Sequence, residues 1–342
     1  MLILGIETSC DETSCAVVED GHRILSNIVA SQISIHARYG GVVPEVASRQ
    51  HLLEIVPVLD AALLEADVRL NEIDGIAVTN GPGLMGALMV GLNFAKALAF
   101  THAKPFVGIH HIEGHAYAAW LDYEDPATDP GFPLVLLIAS GAHTDLILMS
   151  GHGQYRMIGR TRDDASGEAF DKTARILGLG YPGGPEIQRV SDGIEPSFRM
   201  PRAWLGDSFD FSFSGLKTAV LHKAQSMGVY PPPEYPDSNI GKPVAELAAA
   251  FQESVVDVIS AKAVRAISQY GAKGLVVGGG VSANRRLREV CYERSPVPVL
   301  IPAPKLCTDN AAMIAAAGFF RLVSGERSGL ALDAYPSLGL TG

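Results

Sequence analysis

The chain has 342 residues, 47% hydrophobic and 19% charged, which supplies apolar mass for two ordinary domains and excludes a disordered chain. Its formal net charge of −10 excludes a protein that holds nucleic acid through its overall field, so an RNA partner would need a local basic patch or a helper subunit. No apolar run approaches the roughly 20 residues that span a bilayer, MLILGIETSC lacks the basic flank and cleavage site of a secretion signal, and Cys10, Cys15, Cys291 and Cys307 match no disulfide or zinc spacing, so a reduced, cytoplasmic setting is expected.

In chain order, residues 2–30 read as three short strands: LILGI, then CAVVE after a polar loop, then HRILSNIVA after an Asp-Gly turn. A helix-period segment follows at 44–66. GIAVTN (75–80) is a further strand, leading through a Gly-rich turn into a helix at 84–100. PFVGI (105–109) adds one more strand and 111–120 one more helix. The order then repeats. LVLLIAS, DLILMS and QYRMIGR form a strand set within 134–160, with a helix at 166–178. GLVVGGG (274–280) precedes a helix that begins in SANRRLREV, and PVLIP (298–302) precedes a helix at 309–322.

Two tandem βββαβαβα halves are therefore expected. The boundaries are residues 1–121 for the first domain and 133–325 for the second. An acidic, Pro-rich linker lies at 122–132. A Pro- and Gly-rich insertion interrupts the second half at about 180–240, and 326–342 form a C-terminal tail. This layout is that of the actin, sugar-kinase and heat-shock ATPase superfamily, whose strand–turn–strand hairpins grip phosphates and whose interdomain cleft holds a nucleotide. The candidate grips are ETSCDET (7–13) and ASGAHTD (139–145), where exposed backbone N–H groups can cradle anions. An ordinary polar turn would look the same in either half; two in register are more telling.

Three Gly-rich turns stand out. VVGGGVSANRR (276–286) runs a strand into a helix start, and Ser282 and Asn284 fit a helix cap as well as a ligand contact. TNGPGLMG (79–86) reads as a tight strand–helix connection. YPGGPE (181–186) could lie against a ribose.

HHIEGHAYAAW (110–120) places His111 and His115 four apart, on one helix face and about 5–6 Å from each other. That suits two imidazoles on one metal ion, and equally a pair that caps or packs. A zincin is excluded by phase. Its glutamate directly follows the first histidine, whereas Glu113 comes two residues after His111, roughly 200° around the helix. Glu113 is thus a supporting or structural carboxylate. The best third ligand is Asp309 in PKLCTDNAAM (304–313), placed by repeat symmetry at the matching helix start of the second half, although an N-cap aspartate would look the same. Two histidines and a carboxylate with open positions describe a catalytic site.

ILGIETSCDET, GGVVPEVASRQH (40–51), NGPGLMGAL, HHIEGH, GEAFDKTARILGLGYPGGP (167–185), FSFSGLKT (211–218), GGGVSANRRL and CTDNAAMIA together resemble the tRNA N6-adenosine threonylcarbamoyltransferase family, the bacterial TsaD type once labelled an O-sialoglycoprotein endopeptidase. The resemblance runs from residue 1 to about residue 320. It implies two tandem actin-like domains and transfer of threonylcarbamoyl from threonylcarbamoyl-adenylate to N6 of the adenosine beside the anticodon in tRNAs reading ANN codons, with release of AMP. It makes His111, His115 and Asp309 the ligands of one divalent metal ion, iron ahead of zinc. It makes Ile138, Ala139, Ser140, Gly141 and Ala142 the substrate segment, and Asp171, Gly184 and Asn284 the groups that bind the adenylate. It also implies a TsaB-like pseudo-paralogue and a TsaE-like ATPase as partners, and a YrdC-type synthase that supplies the adenylate.

Where the family usually has S-G-G-H-T, this chain has Ser140-Gly141-Ala142-His143-Thr144. If the backbone there needs φ > 0, alanine costs about 1 kcal/mol or more, and altered substrate fit is expected rather than loss of function. The donor is an activated anhydride, so no enzyme nucleophile is required, and none of Ser-His-Asp type is evident. Asp11, in the first hairpin, is the candidate proton acceptor for the attacking amine; a turn-stabilising aspartate is the alternative. Arg285, Arg286, Arg288 and Lys217 are candidate phosphate contacts, or a solvated face. An actin-like-fold kinase, a small-molecule carbamoyltransferase and a non-catalytic scaffold are the competing functions. The histidine pair has no task in a kinase, and a scaffold would lack the three ligands.

Overall fold

The computed structural model describes residues 1–121, 130–232 and 241–340. Two five-stranded sheets share one plan. In the first, β1 (Leu2–Glu7), β2 (Glu12–Glu19), β3 (Arg23–Ser31), β4 (Gly75–Gly81) and β5 (Phe106–His110) lie in the order β3-β2-β1-β4-β5. In the second, β6 (Leu134–Ala139), β7 (Thr144–Gly151), β8 (Gln154–Arg160), β9 (Gly274–Gly278) and β10 (Val299–Leu300) lie in the order β8-β7-β6-β9-β10. Each sheet opens with an antiparallel meander and then adds two parallel strands. The expected repeat is thus present in strand order and direction. Central strands such as β6 are buried along their whole length, as an unbroken apolar run demands, while the edge strand β8 is largely half-buried or exposed.

Ten helices connect them: α1 (Ile33–His36), α2 (Pro44–Ala66), α3 (Met85–Thr101), α4 (His111–Tyr117), α5 (Ser166–Ile176), α6 (Gly183–Ser191), α7 (Ser214–Ser226), α8 (Lys242–Tyr270), α9 (Arg285–Arg294) and α10 (Ala311–Val323) among the described residues. Their ends follow local chemistry. Pro44 starts α2, where a missing N–H costs nothing, and the side chains of Asn284 and Asn310 cap α9 and α10. The helix expected at 111–120 is α4 followed by a 3₁₀ turn at Ala118–Trp120.

The chain divides into two compact units: Met1–Asp129 with Pro302–Gly342, and Pro130–Ile301. This differs from the sequence boundaries of 133–325 for the second domain and 326–342 for a separate tail. In unit 1, Leu4, Ile6, Ile76 and Val78 point to one face of the first sheet and pack with Ile55, Leu59, Leu88 and Leu92 of α2 and α3. Gly5 and Ala77 alternate with them and so face the other way. There α10 lies so close that a Cβ on Gly5 would sit 2.1 Å from the Ala311 carbonyl oxygen. Small residues on both elements let α10 join the first sheet. The tail follows it: Ser328 N–H donates to Phe106 O, Tyr335 N–H to Asn80 O, and Ala334 is buried in the unit 1 core.

In unit 2, Val135, Leu137, Leu146, Leu275 and Val277 pack beneath α5 to α9. The insertion expected at about 180–240 contains α6 and α7, and α8, to which the sequence assigned no element, is the longest helix described. Most of the linker expected at 122–132, namely 122–129, and residues 233–240 of the insertion lie outside the described residues.

Candidate functional site

Three expected metal ligands come together within unit 1. β5 delivers the chain into α4, and one helical turn separates His111 from His115, so both rings share a face, with centroids 4.7 Å apart. α10 brings the third. Asn310 is its N-cap, its side chain accepting from Met313 N–H at 3.2 Å. The cap therefore falls one residue after Asp309, and one Asp309 carboxylate oxygen lies 3.5 Å from His111 Nε2 and 3.2 Å from His115 Nε2. The candidate ligand atoms all lie within 4.8 Å of one another.

The surroundings fit a cation. His115 is fully buried, and neither ring nitrogen has a hydrogen bond of acceptable geometry. Such an orphaned imidazole is costly unless something electrophilic meets it. His111 Nδ1 is held by Glu7 Oε2 at 3.2 Å and Ser9 Oγ at 3.1 Å, which turns Nε2 toward Asp309. Glu7 is itself fully buried, accepting from Ser9 N–H at 2.5 Å and Thr79 Oγ1 at 2.6 Å. Burial alone would lower the His111 pKa, but the Asp309 and Glu7 carboxylates outweigh it and raise it to about 9. Two imidazoles and one carboxylate suit a divalent ion with open coordination positions. Glu7 and Ser9 were not foreseen as supports for His111; the signal was a polar pair closing an apolar strand.

Glu113 is no part of this cluster. Its fully buried carboxylate receives Arg321 Nε at 2.9 Å and Nη2 at 2.8 Å, which makes it a structural ion pair. Asp11 is nearly buried in the β1–β2 turn, where its carbonyl accepts from Gln32 N–H at 3.0 Å. Its neighbour Glu12 is pushed upward by burial and by the Asp309 and Asp11 charges.

The remaining candidates belong to unit 2. Ile138 and Ala139 end β6, and Ser140 to His143 form a tight turn closed by Ser140 N–H to His143 O at 2.8 Å. Ala142 is not among the non-glycine residues with positive φ, so the alanine carries no left-handed strain. Gly167 N–H donates to Ser140 O at 3.1 Å, tying this turn to α5. Farther along α5, Asp171 Oδ1 accepts from Gly183 N–H at 2.7 Å, and burial raises its carboxyl against that bond. The next glycine, Gly184, has open space where a Cβ would stand. From α6, Gln188 Oε1 accepts from Arg285 N–H at 2.7 Å, which brings Asn284 to the same neighbourhood. Asn284 proves to be the cap of α9, accepting from Leu287 N–H at 3.0 Å while its amide donates to Gln252 Oε1 at 2.8 Å. Asp171, Gly184 and Asn284 are thus linked through α6.

Beside them opens a cavity of about 930 Å³ whose lining includes Gln188, Gln252, Arg199, Arg202 and Arg285. Its arginines are dispersed in sequence, and only Arg285 and Arg286 were anticipated as phosphate contacts. In the structure Arg285 pairs with Asp192, Arg286 with Glu253 at 2.6 Å, and Lys217 with Asp164 at 2.8 Å, while Arg288 Nη1 donates to Ser282 O at 3.1 Å.

A family model described as tRNA N6-adenosine threonylcarbamoyltransferase, TsaD, matches residues 23–316. A protein of that name from Thermomicrobium roseum is 54% identical over 99% of this chain and 97% of its own. Another from Dehalococcoides mccartyi is 54% identical over the whole of both chains. Among solved structures, the activator of 2-hydroxyisocaproyl-CoA dehydratase from Clostridium difficile superposes with a TM-score of 0.54 at 14% identity, covering 95% of this chain and 97% of that one. That likeness shows the fold alone, the duplicated actin-like one. The chain belongs to the tRNA N6-adenosine threonylcarbamoyltransferase family, a family of transferases that modify tRNA.

Proposed function

We propose that this chain moves a threonylcarbamoyl group from threonylcarbamoyl-adenylate to N6 of the adenosine adjacent to the anticodon in tRNAs reading ANN codons, releasing AMP. The observation that carries this is the convergence of His111 and His115 on one Asp309 oxygen, in a chain of this family. A kinase would have no use for that cluster. The amine nitrogen bonds to the carbamoyl carbon as the C–O bond to AMP breaks. The amine proton passes to a base, and AMP leaves with the electron pair.

His111, His115 and Asp309 would hold one divalent ion, iron ahead of zinc. When bound, it supplies Lewis acidity and a template for the donor oxygens. Residues 138–142 bind the acyl phosphate side, and Asp171, Gly184 and Asn284 bind the adenylate. Asp11 accepts the amine proton. Orientation carries much of the rate, because an exocyclic amine is a weak nucleophile.

The charge of −10 and the engagement of Arg285, Arg286 and Lys217 by carboxylates support RNA contacts supplied in part by TsaB-like and TsaE-like partners. Exposed Leu52, Leu53 and Val56 on α2 and Met89 on α3 support a protein partner on unit 1. Four free thiols support a reducing cytoplasm, and no helix among the described residues is long and apolar enough to cross a membrane.

The test combines the chain with its partners, the synthase, threonine, bicarbonate, ATP and unmodified tRNA. Digested tRNA is searched by mass spectrometry for threonylcarbamoyladenosine, with His111→Ala as control. Product that disappears in the control is expected. No product, with partners proven on another family member, would favour the small-molecule carbamoyltransferase or scaffold.

A further inference from the structure

The turn between β1 and β2 is pinned by three consecutive carbonyls. Ser9 O accepts from Leu84 N–H at 2.8 Å, Cys10 O lies 3.0 Å from His51 Nε2, and Asp11 O accepts from Gln32 N–H at 3.0 Å. Two of these donors are backbone groups. The middle one is a side chain, projected from α2 and fully buried. His51 Nδ1 lies 2.7 Å from Thr13 Oγ1. A carbonyl can only accept, so Nε2 carries the proton. Nδ1 then accepts from the Thr13 hydroxyl, and the ring is neutral. Burial lowers the His51 pKa below the usual imidazole range, which keeps that state.

A trans peptide points its C=O and N–H in opposite directions. Fixing the Cys10 carbonyl toward α2 therefore aims the Asp11 N–H away from it, and among the described residues that N–H has no acceptor. We infer that His51 is a positioning residue: through the Cys10 carbonyl it sets the peptide plane that presents the Asp11 N–H and side chain to the anionic donor. This rests on the function proposed above, in which Asp11 faces the reacting amine. Thr13 fixes the tautomer, and α2 supplies the rigid support.

The test uses the full chain with its partners. A turned peptide moves Asp11 without removing it, so His51→Leu should lower kcat about 10–100-fold. KM for tRNA and metal content should stay near wild type, while the melting temperature falls by a few degrees because Cys10 O and Thr13 Oγ1 each lose a buried partner. In His51→Gln the amide nitrogen reaches the Nε2 position and can donate to Cys10 O, so most of the turnover should return. In His51→Asn it reaches only the Nδ1 position, and turnover should not return. Equal turnover in the leucine variant and wild type, or glutamine no better than leucine, overturns the inference. Should the leucine variant fail to fold, the glutamine–asparagine pair decides, and asparagine as active as glutamine overturns it.

Should wild type leave tRNA unmodified, the functional reading fails while the clamp is still decided by AMP affinity. An affinity about 10-fold weaker in the leucine variant, restored by glutamine, supports the clamp. Equal affinities refute it.

Discussion

Replacing Glu113 by glutamine separates a structural carboxylate from a catalytic one. The residue lies between His111 and His115, one position past the place where a zincin keeps its base, and its carboxylate is fully buried against Arg321. Removing one partner of a buried pair costs about 3–5 kcal/mol, because the other charge is left stranded. Arg321 is one-quarter exposed and keeps a second partner, Glu326, at 2.7 Å. The expected loss is therefore smaller, about 2–3 kcal/mol. For a unit of this size that corresponds to a fall of about 5–10 °C in melting temperature. Turnover per folded molecule, assayed well below the transition, should stay within about twofold of wild type, with metal content unchanged. Thermal unfolding by circular dichroism and the transfer assay measure the two quantities on one preparation. An unchanged melting temperature together with a loss of about 100-fold in turnover would refute the helical-phase reasoning and return Glu113 to the chemistry.

Glu7→Gln should weaken metal affinity about 10–100-fold, since the carboxylate that orients His111 is lost while all three ligands remain; competition with a chelator measures it, and unchanged affinity would show that Glu7 is only packed there. Asp145 is 7% exposed, and burial, partly offset by Arg160, raises its carboxyl to about 6. Its folded pKa lies above the unfolded one, so its contribution is intact below about pH 4 and is lost as pH rises toward 6. Asp145→Asn should thus match wild type at pH 4 and exceed it by about 2–3 kcal/mol above pH 6 in denaturant unfolding, and a pH-independent difference would contradict the burial argument. Gly5→Ala would place a Cβ 2.1 Å from Ala311 O, forcing α10 off β1 at a cost of about 3 kcal/mol; a stability equal to wild type would show that this close approach is relaxed in solution.

The duplicated sheets were legible because their strands are short apolar runs punctuated by polar and glycine turns, and α2 was legible at both ends through Pro44 and its apolar period. α8 was not. Seventeen of its 29 residues are buried, and side chains packed on most sides of a helix leave no amphipathic stripe to read. The histidine pair followed from spacing and Asp309 from repeat symmetry, but the one-residue shift that gives the α10 cap to Asn310 is beyond sequence resolution. His51 and Glu7 were invisible as supports, because a buried polar side chain announces its partner only when distant segments meet.

The placement of α10 has a larger consequence than a moved boundary. The repeated element order assigned it to the second half, whereas Gly5 opposite Ala311 and Ala77 opposite Gly318 fit it to the first sheet. Its N-terminus carries Asp309, so all three candidate ligands, together with Glu7, Ser9 and His51, are held by unit 1. Residues 138–142, Asp171, Gly184 and Asn284 all belong to unit 2. Under the function proposed above, ion retention and adenylate recognition are thus built from separate cores. A substitution that loosens one core should change its own binding constant first and reach the other only through turnover.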